Sequence, residues 1–121
     1  MPTARDEIPD RLRELVECSE NLRIALLEYG QATVELDALI AGGAPTIEAL
    51  ERVGASRLRP ELTDALDQFA GARHRSRVAL LFGAVEEGAS MAEAGRAFSV
   101  SRQLVSRLIA EHQRDAGGAA L

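Results

Sequence analysis

Apolar residues near the start of the chain recur at a spacing that only a helix can use. Ile8, Leu12, Leu15, Ser19, Leu22, Leu26, Tyr29, Thr33, Leu36 and Ile40 follow an unbroken four-three alternation. That spacing returns each side chain to one face of a helix. Val16, Ile24, Leu27, Val34 and Leu39 flank the seam and widen it. A wide stripe suits a bundle better than a bare two-stranded coiled coil. The pattern predicts a long helix that ends at Gly42, Gly43 and Pro45, with Pro9 in its first turn. Gly30 sits inside it and weakens it by roughly 1 kcal/mol relative to Ala.

The next stretch is broken into shorter pieces. Thr46 can cap a short helix running to about Val53, with Glu48 in its first turn. Gly54, Ala55 and Ser56 interrupt it. Pro60 marks a new start, and Leu62, Leu66, Phe69 and Ala70 supply an apolar side. Gly71 either ends this helix or lies within one that runs on to Glu87. We place the functional boundary there, giving regions 1–71 and 72–121. In the second region Val78, Leu81, Phe82 and Val85 share one side of a helix that Gly88 closes. Ser90 and Glu93 form a capping-box pattern before a helix at 91–98. A third helix runs from Ser101 to about His112, and the Gly/Ala tail at 116–120 should fray.

Composition changes this picture in three ways. Aromatics are 3% of the 121 residues and hydrophobics 46%, so the core must be aliphatic and the fold all-α. No run of about 18 apolar residues exists, so no membrane span is expected. The start of the chain lacks the apolar run of a secretory signal. Cys18 is the only cysteine, for which a reducing cytoplasm is the simplest setting. The net charge is −5, yet it is unevenly spread. Region 1–71 holds 7 Arg and 14 acids; region 72–121 holds 7 Arg and 5 acids. The two regions therefore face different partners.

The basic region carries the candidate chemistry. Its stretch Ser90-Met-Ala-Glu-Ala-Gly95-Arg-Ala-Phe-Ser-Val100-Ser-Arg-Gln-Leu-Val105-Ser-Arg-Leu-Ile109 places two short helices three residues apart. Gly95, beside Ala94, is small enough to let the second helix cross closely. Phe98 and Val100 bracket the turn and should bury it. Ser101 suits the cap of the second helix and a phosphate contact. At about 100° per residue, Leu104, Val105, Leu108 and Ile109 gather on one side. Arg102, Gln103, Ser106, Arg107, Ala110, Gln113 and Arg114 gather on the other, which bears no acid. Arg suits guanine and Gln suits adenine in a major groove.

This stretch resembles the helix-turn-helix transcription regulators, and also the DNA-binding domain of the resolvase and invertase recombinases. The resemblance implies a tri-helical module over 73–114 whose third helix enters the major groove. It implies base contacts from Arg102, Gln103, Ser106 and Arg107. Arg73, Arg75, Arg77, Ser90, Ser101 and Arg114 are the candidate phosphate contacts. Two departures stand out: the family usually has Ala where Gly95 stands, and Gly where Ser99 stands.

Other chemistries find little here. His74 and His112 with one distant Cys give no metal-ligand spacing, and no metal or cofactor is expected. His112 falls on the inward face of its helix and reads as a packing residue. Cys18 reads as a small half-buried side chain. Glu14, Glu17, Glu20 and Glu28 read as a solvated helix face. No nucleophile-base arrangement or phosphate loop is present, so no enzyme is expected. The sequence thus reads as an all-α protein: a long N-terminal helix with short helices, then a helix-turn-helix module. It is expected to act in the cytoplasm, on the nucleoid, as a homodimeric regulator binding double-stranded DNA. Leu12, Leu15, Leu22, Leu26, Tyr29, Leu36 and Ile40 are the expected dimer contacts. The alternative is a helical adaptor that binds a protein partner through residues 1–71.

Overall fold

A computed structural model describes residues 3–119. They form α1 (Ala4–Ala41), α2 (Thr46–Val53), α3 (Ala55–Glu86), α4 (Met91–Phe98) and α5 (Arg102–Ala119). Among the described residues there is no strand. No helix among them is long and apolar enough to cross a membrane.

Helix starts and stops follow local backbone chemistry, and several differ from the sequence expectation. The Thr3 amide and hydroxyl both donate to Asp6 Oδ2, at 2.7 and 3.2 Å. This cap starts α1 early, so Pro9 falls in the second turn rather than the first. Pro45, not Thr46, is the N-cap of α2, and no side chain caps that end. Gly54 ends α2 with φ 74°, a conformation that suits a residue without Cβ. The Gly54 carbonyl then accepts from both Arg57 N and Leu58 N at 3.0 Å, so α3 begins at once. Pro60 and Gly71 both lie inside α3. Gly71 costs a helix roughly 1 kcal/mol, yet α3 continues through it, with Ala72 buried beside it. The 116–119 part of the expected fraying tail is helical; residue 120 lies outside the described residues.

The chain divides into two compact units, Met1–Glu14 with Arg73–Leu121, and Leu15–Ala72. The later boundary falls beside the expected one. The N-terminal segment, however, joins 73–121 rather than the acidic region. Arg5 pairs with Glu87. Ile8 Cδ1 lies 2.9 Å from where a Cβ on Gly83 would stand. Arg75 donates to Glu14 Oε1 from Nε at 3.0 Å and Nη2 at 2.5 Å. These contacts run α1 and α3 antiparallel within this unit. Its core is Val78, Leu81, Ala94, Val105, Leu108 and Ile109. Phe82, Val85, Met91 and Leu104 pack against it, close to the apolar sides read from periodicity.

The Leu15–Ala72 unit is built on smaller side chains. Ala49, Leu58, Ala65 and Ala72 are its buried apolar residues. Tyr29, Leu36, Leu50, Val53 and Leu58 from three helices surround one small hollow. Along α1 the half-buried positions include Cys18, Ala25, Ala32 and Leu39, each one residue before an expected seam position. Along α3, Ala65 is buried while Leu66 is 46% exposed and Ala70 is exposed. On each helix part of the expected face is therefore displaced by one residue, while Leu15, Leu22, Leu36, Leu62 and Phe69 keep their expected places and are half-buried. Small residues at a helix contact allow a close interaxial distance, and here they take the inward place while larger ones stay outside.

Candidate nucleic-acid interface

The turn between α4 and α5 is built from its backbone outward. Ser90 caps α4: its Oγ accepts from Glu93 N at 3.0 Å and donates to Glu93 Oε1 at 3.2 Å. At the other end Ser99 adopts φ 57°, the only positive φ outside glycine among the described residues. Its amide donates to the Arg96 carbonyl at 3.2 Å, and Val100 N donates to the Gly95 carbonyl at 2.9 Å. This pair of bonds closes the helix end by the Schellman pattern. Ser101 then caps α5, its Oγ accepting from Leu104 N at 3.1 Å. Only Ser99, Val100 and Ser101 separate the two helices.

Gly95 explains how α5 approaches so closely. A Cβ there would stand 2.7 Å from the Val100 carbonyl oxygen and 3.5 Å from Val105 Cγ2. Alanine, which the family resemblance favours at this place, does not fit without moving backbone. Val105 is fully buried beneath the crossing. Phe98 departs from expectation: it is 37% exposed rather than burying the turn.

The outward side of α5 holds the predicted base-reading residues together. Arg102, Gln103, Ser106 and Arg107 are exposed and line one hollow with Ala110 and Met91. Met91 carries no polar signal that would mark it in the sequence as a site residue; its place at the start of α4 puts it beside the α5 face. Glu111 and Asp115 line a different hollow, with His74, His112 and Glu7. No acid occupies the first turn of α5, so its positive end is unopposed. Gln113 and Arg114 are exposed. His112 packs edge-on against Phe82 with ring centroids 5.3 Å apart, as a packing residue should.

The candidate phosphate contacts are less uniform. Arg73 and Arg77, four residues apart, lie on one side of α3, while Arg75 between them faces another way. Arg73 is exposed. Arg75 is engaged by Glu14. Arg77 is half-buried, and its Nε is enclosed without a hydrogen-bond partner. Because α3 runs through this segment, no helix N-terminus opposes the three charges. The Ser90 hydroxyl is committed to Glu93, a carboxylate that would repel a phosphate. Ser101 is exposed.

Glu14 is no mere solvated acid. The hydrogen bond from Arg75 holds its carboxyl below the usual range, with Arg11 adding to the effect. Glu20 is likewise lowered, chiefly by its hydrogen bond from Arg23. Cys18 is a half-buried free thiol. Among the described residues no group of three His, Cys, Asp or Glu could hold a metal ion.

The expected dimer contacts divide. Leu15, Leu22 and Leu36 are half-buried within the chain's own fold, whereas Leu12, Leu26, Tyr29 and Ile40 are exposed. No family model, curated protein sequence or solved structure matches the chain, so the reading of this surface rests on its own geometry.

Proposed function

We propose that this chain is a sequence-specific double-stranded DNA-binding transcription regulator acting as a homodimer, with the start of α5 in the major groove. The observation that carries the reading is the acid-free face of α5. There Arg102, Gln103, Ser106 and Arg107 share one exposed hollow beside an unopposed helix N-terminus. Arg and Gln forks read guanine and adenine edges, and the Met91 side chain offers an apolar contact of the kind a thymine methyl takes. The Ser101 end of α5 suits a phosphate, since free N–H groups and the helix dipole both favour an anion. The charge division supports it as well. The unit bearing α4 and α5 holds ten Arg and nine acids, whereas Leu15–Ala72 holds four Arg and ten acids. The acidic unit is repelled by phosphates, which discourages indiscriminate binding.

Selection of bound fragments from random duplex DNA by the purified protein tests the reading. Enrichment of one motif, bound with affinity that falls as salt rises, is the expected outcome. Recovery of unenriched sequence would overturn it. That result would favour the second reading, a helical adaptor for a protein partner, for which the exposed Ile47 and Leu50 on α2 speak.

A further inference from the structure

Within Leu15–Ala72, α1 is apolar on more sides than its own fold covers. Leu26, Leu27 and Val34 are 49%, 55% and 72% exposed. They flank Gly30, and Arg23, Gly30 and Asp37 lie on one line down the helix, since seven residues make nearly two turns. Gly30 is unexplained by the chain alone. A Cβ there would meet nothing within 4 Å, and a glycine in mid-helix weakens it. What a bare backbone permits at this place is the close approach of something outside the chain.

The surroundings of Gly30 specify that visitor. Opposite charges stand equally far before and after it, and the residues between are mostly apolar or small. If two copies cross antiparallel about a two-fold axis at Gly30, residues equidistant from it face each other. Arg23 then meets Asp37, Leu26 meets Val34, and the two glycines meet at the crossing. A parallel, in-register pair would instead set Arg23 against Arg23 and Asp37 against Asp37, and like charges repel. Arg23 can serve this role while keeping its own partner. Glu20 occupies its Nε and Nη2, which leaves Nη1 of the guanidinium fork for a second carboxylate.

We propose that a second copy of this chain covers this face, the two α1 helices crossing antiparallel at Gly30 with Arg23 of each paired to Asp37 of the other. This rests on the homodimer reading and adds to it the surface, polarity and register. A two-fold contact of this kind is self-complementary, as closed dimers require.

The test uses the full chain and measures mass by sedimentation at tens of micromolar, with helix content followed by circular dichroism. The parent is expected to be a dimer. Gly30→Leu should weaken dimerisation at least tenfold without loss of helix, because the side chain projects into open space and Leu is the better helix former. Arg23→Asp and Asp37→Arg should each weaken the dimer, and the double variant should recover it. In a Cys18→Ser background, Leu26→Cys with Val34→Cys should oxidise to disulfides joining position 26 to position 34 between copies. A dimer indifferent to Gly30→Leu and to the charge reversals, or one cross-linked 26 to 26, overturns the antiparallel crossing and leaves the homodimer standing. A monomeric parent overturns both.

Discussion

Two residues at the α4–α5 junction are constrained for different reasons, Ser99 by its backbone angle and Gly95 by its neighbours, and substitution should separate them. Ser99 sits at φ 57°, where glycine is at ease and a Cβ is not. Ser99→Gly should therefore stabilise the fold by about 0.5–1 kcal/mol. Gly95 has ordinary helical geometry but no room, with the Val100 carbonyl 2.7 Å from a would-be Cβ. Gly95→Ala gains about 1 kcal/mol of helix propensity, yet overpacking against fixed backbone costs roughly 1–3 kcal/mol. Net destabilisation in urea unfolding is expected; a more stable variant would show that the turn yields. Glu14 offers a pH test. Its folded pKa lies below the ordinary value of 4.5 because Arg75 and Arg11 favour the carboxylate. Stability from this group is thus present above about pH 4.5 and lost as pH falls through the lowered folded value. Glu14→Gln should cost at most about 1 kcal/mol at neutral pH. The gap from the parent should close on acidification below 4.5; a gap that widened instead would contradict the assignment.

At the scale of elements, α5 presents two unlike faces. Val105, Leu108 and Ile109 bury into the core, while Arg102, Gln103 and Arg107 stay outside. Single Ala substitutions of these three should relax base preference at separate positions, each by roughly 1–3 kcal/mol. Ser101→Ala removes the cap and should cost about 1 kcal/mol of stability, leaving the preferred sequence unchanged. Binding profiles of the Arg102 and Gln103 variants that match the parent would sink the assignment of this face. On α3 the expected equivalence of three arginines gives way to a ranking. Arg73→Ala should flatten the salt dependence of DNA binding by about one unit if it meets one phosphate. Glu14→Gln should strengthen binding to every sequence alike by removing a carboxylate that repels phosphate beside Arg75. An Arg73 variant with an unaltered salt slope would remove it from the contact surface.

Over the whole molecule, charge is sorted by unit rather than averaged. Leu15–Ala72 carries net −6, while Met1–Glu14 with Arg73–Leu121 carries net +1. On the proposed reading, such a regulator must prefer its site over a great excess of other DNA, and an acidic unit would lower the background. Converting Glu48, Glu51, Glu61 and Asp64 together to their amides should raise affinity for unrelated duplex several-fold, with little gain at the selected site. Equal gains on both would mean that this unit has no part in discrimination. A dimer extends the reach of the site. One helix reads a few base pairs, whereas two related by a two-fold axis read half-sites roughly 34 Å apart. A selected motif with inverted repeats would agree with that arrangement.

Periodicity and caps alone determined the all-helical fold, the end of α1 at its glycines, and the core side of α5. They also determined the Ser90 and Ser101 caps. These depend on interactions within a few residues, which a linear pattern records directly. The outward set on α5 was legible for the same reason: it is what remains once the apolar face is assigned. Tertiary structure decided what depends on which surface meets which. Two extended helices with small residues on one side and large ones beside them have two possible seams. Only packing chose Ala25, Ala32, Ala65 and Ala72, which left Leu26, Leu27 and Val34 outside. It likewise carried α3 through Pro60 and Gly71, because burial along the helix outweighs a local penalty of a few kcal/mol. It brought Glu14 to Arg75, 61 positions away, and placed Met91 beside the α5 face. No local preference encodes such meetings, since each is set by the joint burial of several helices.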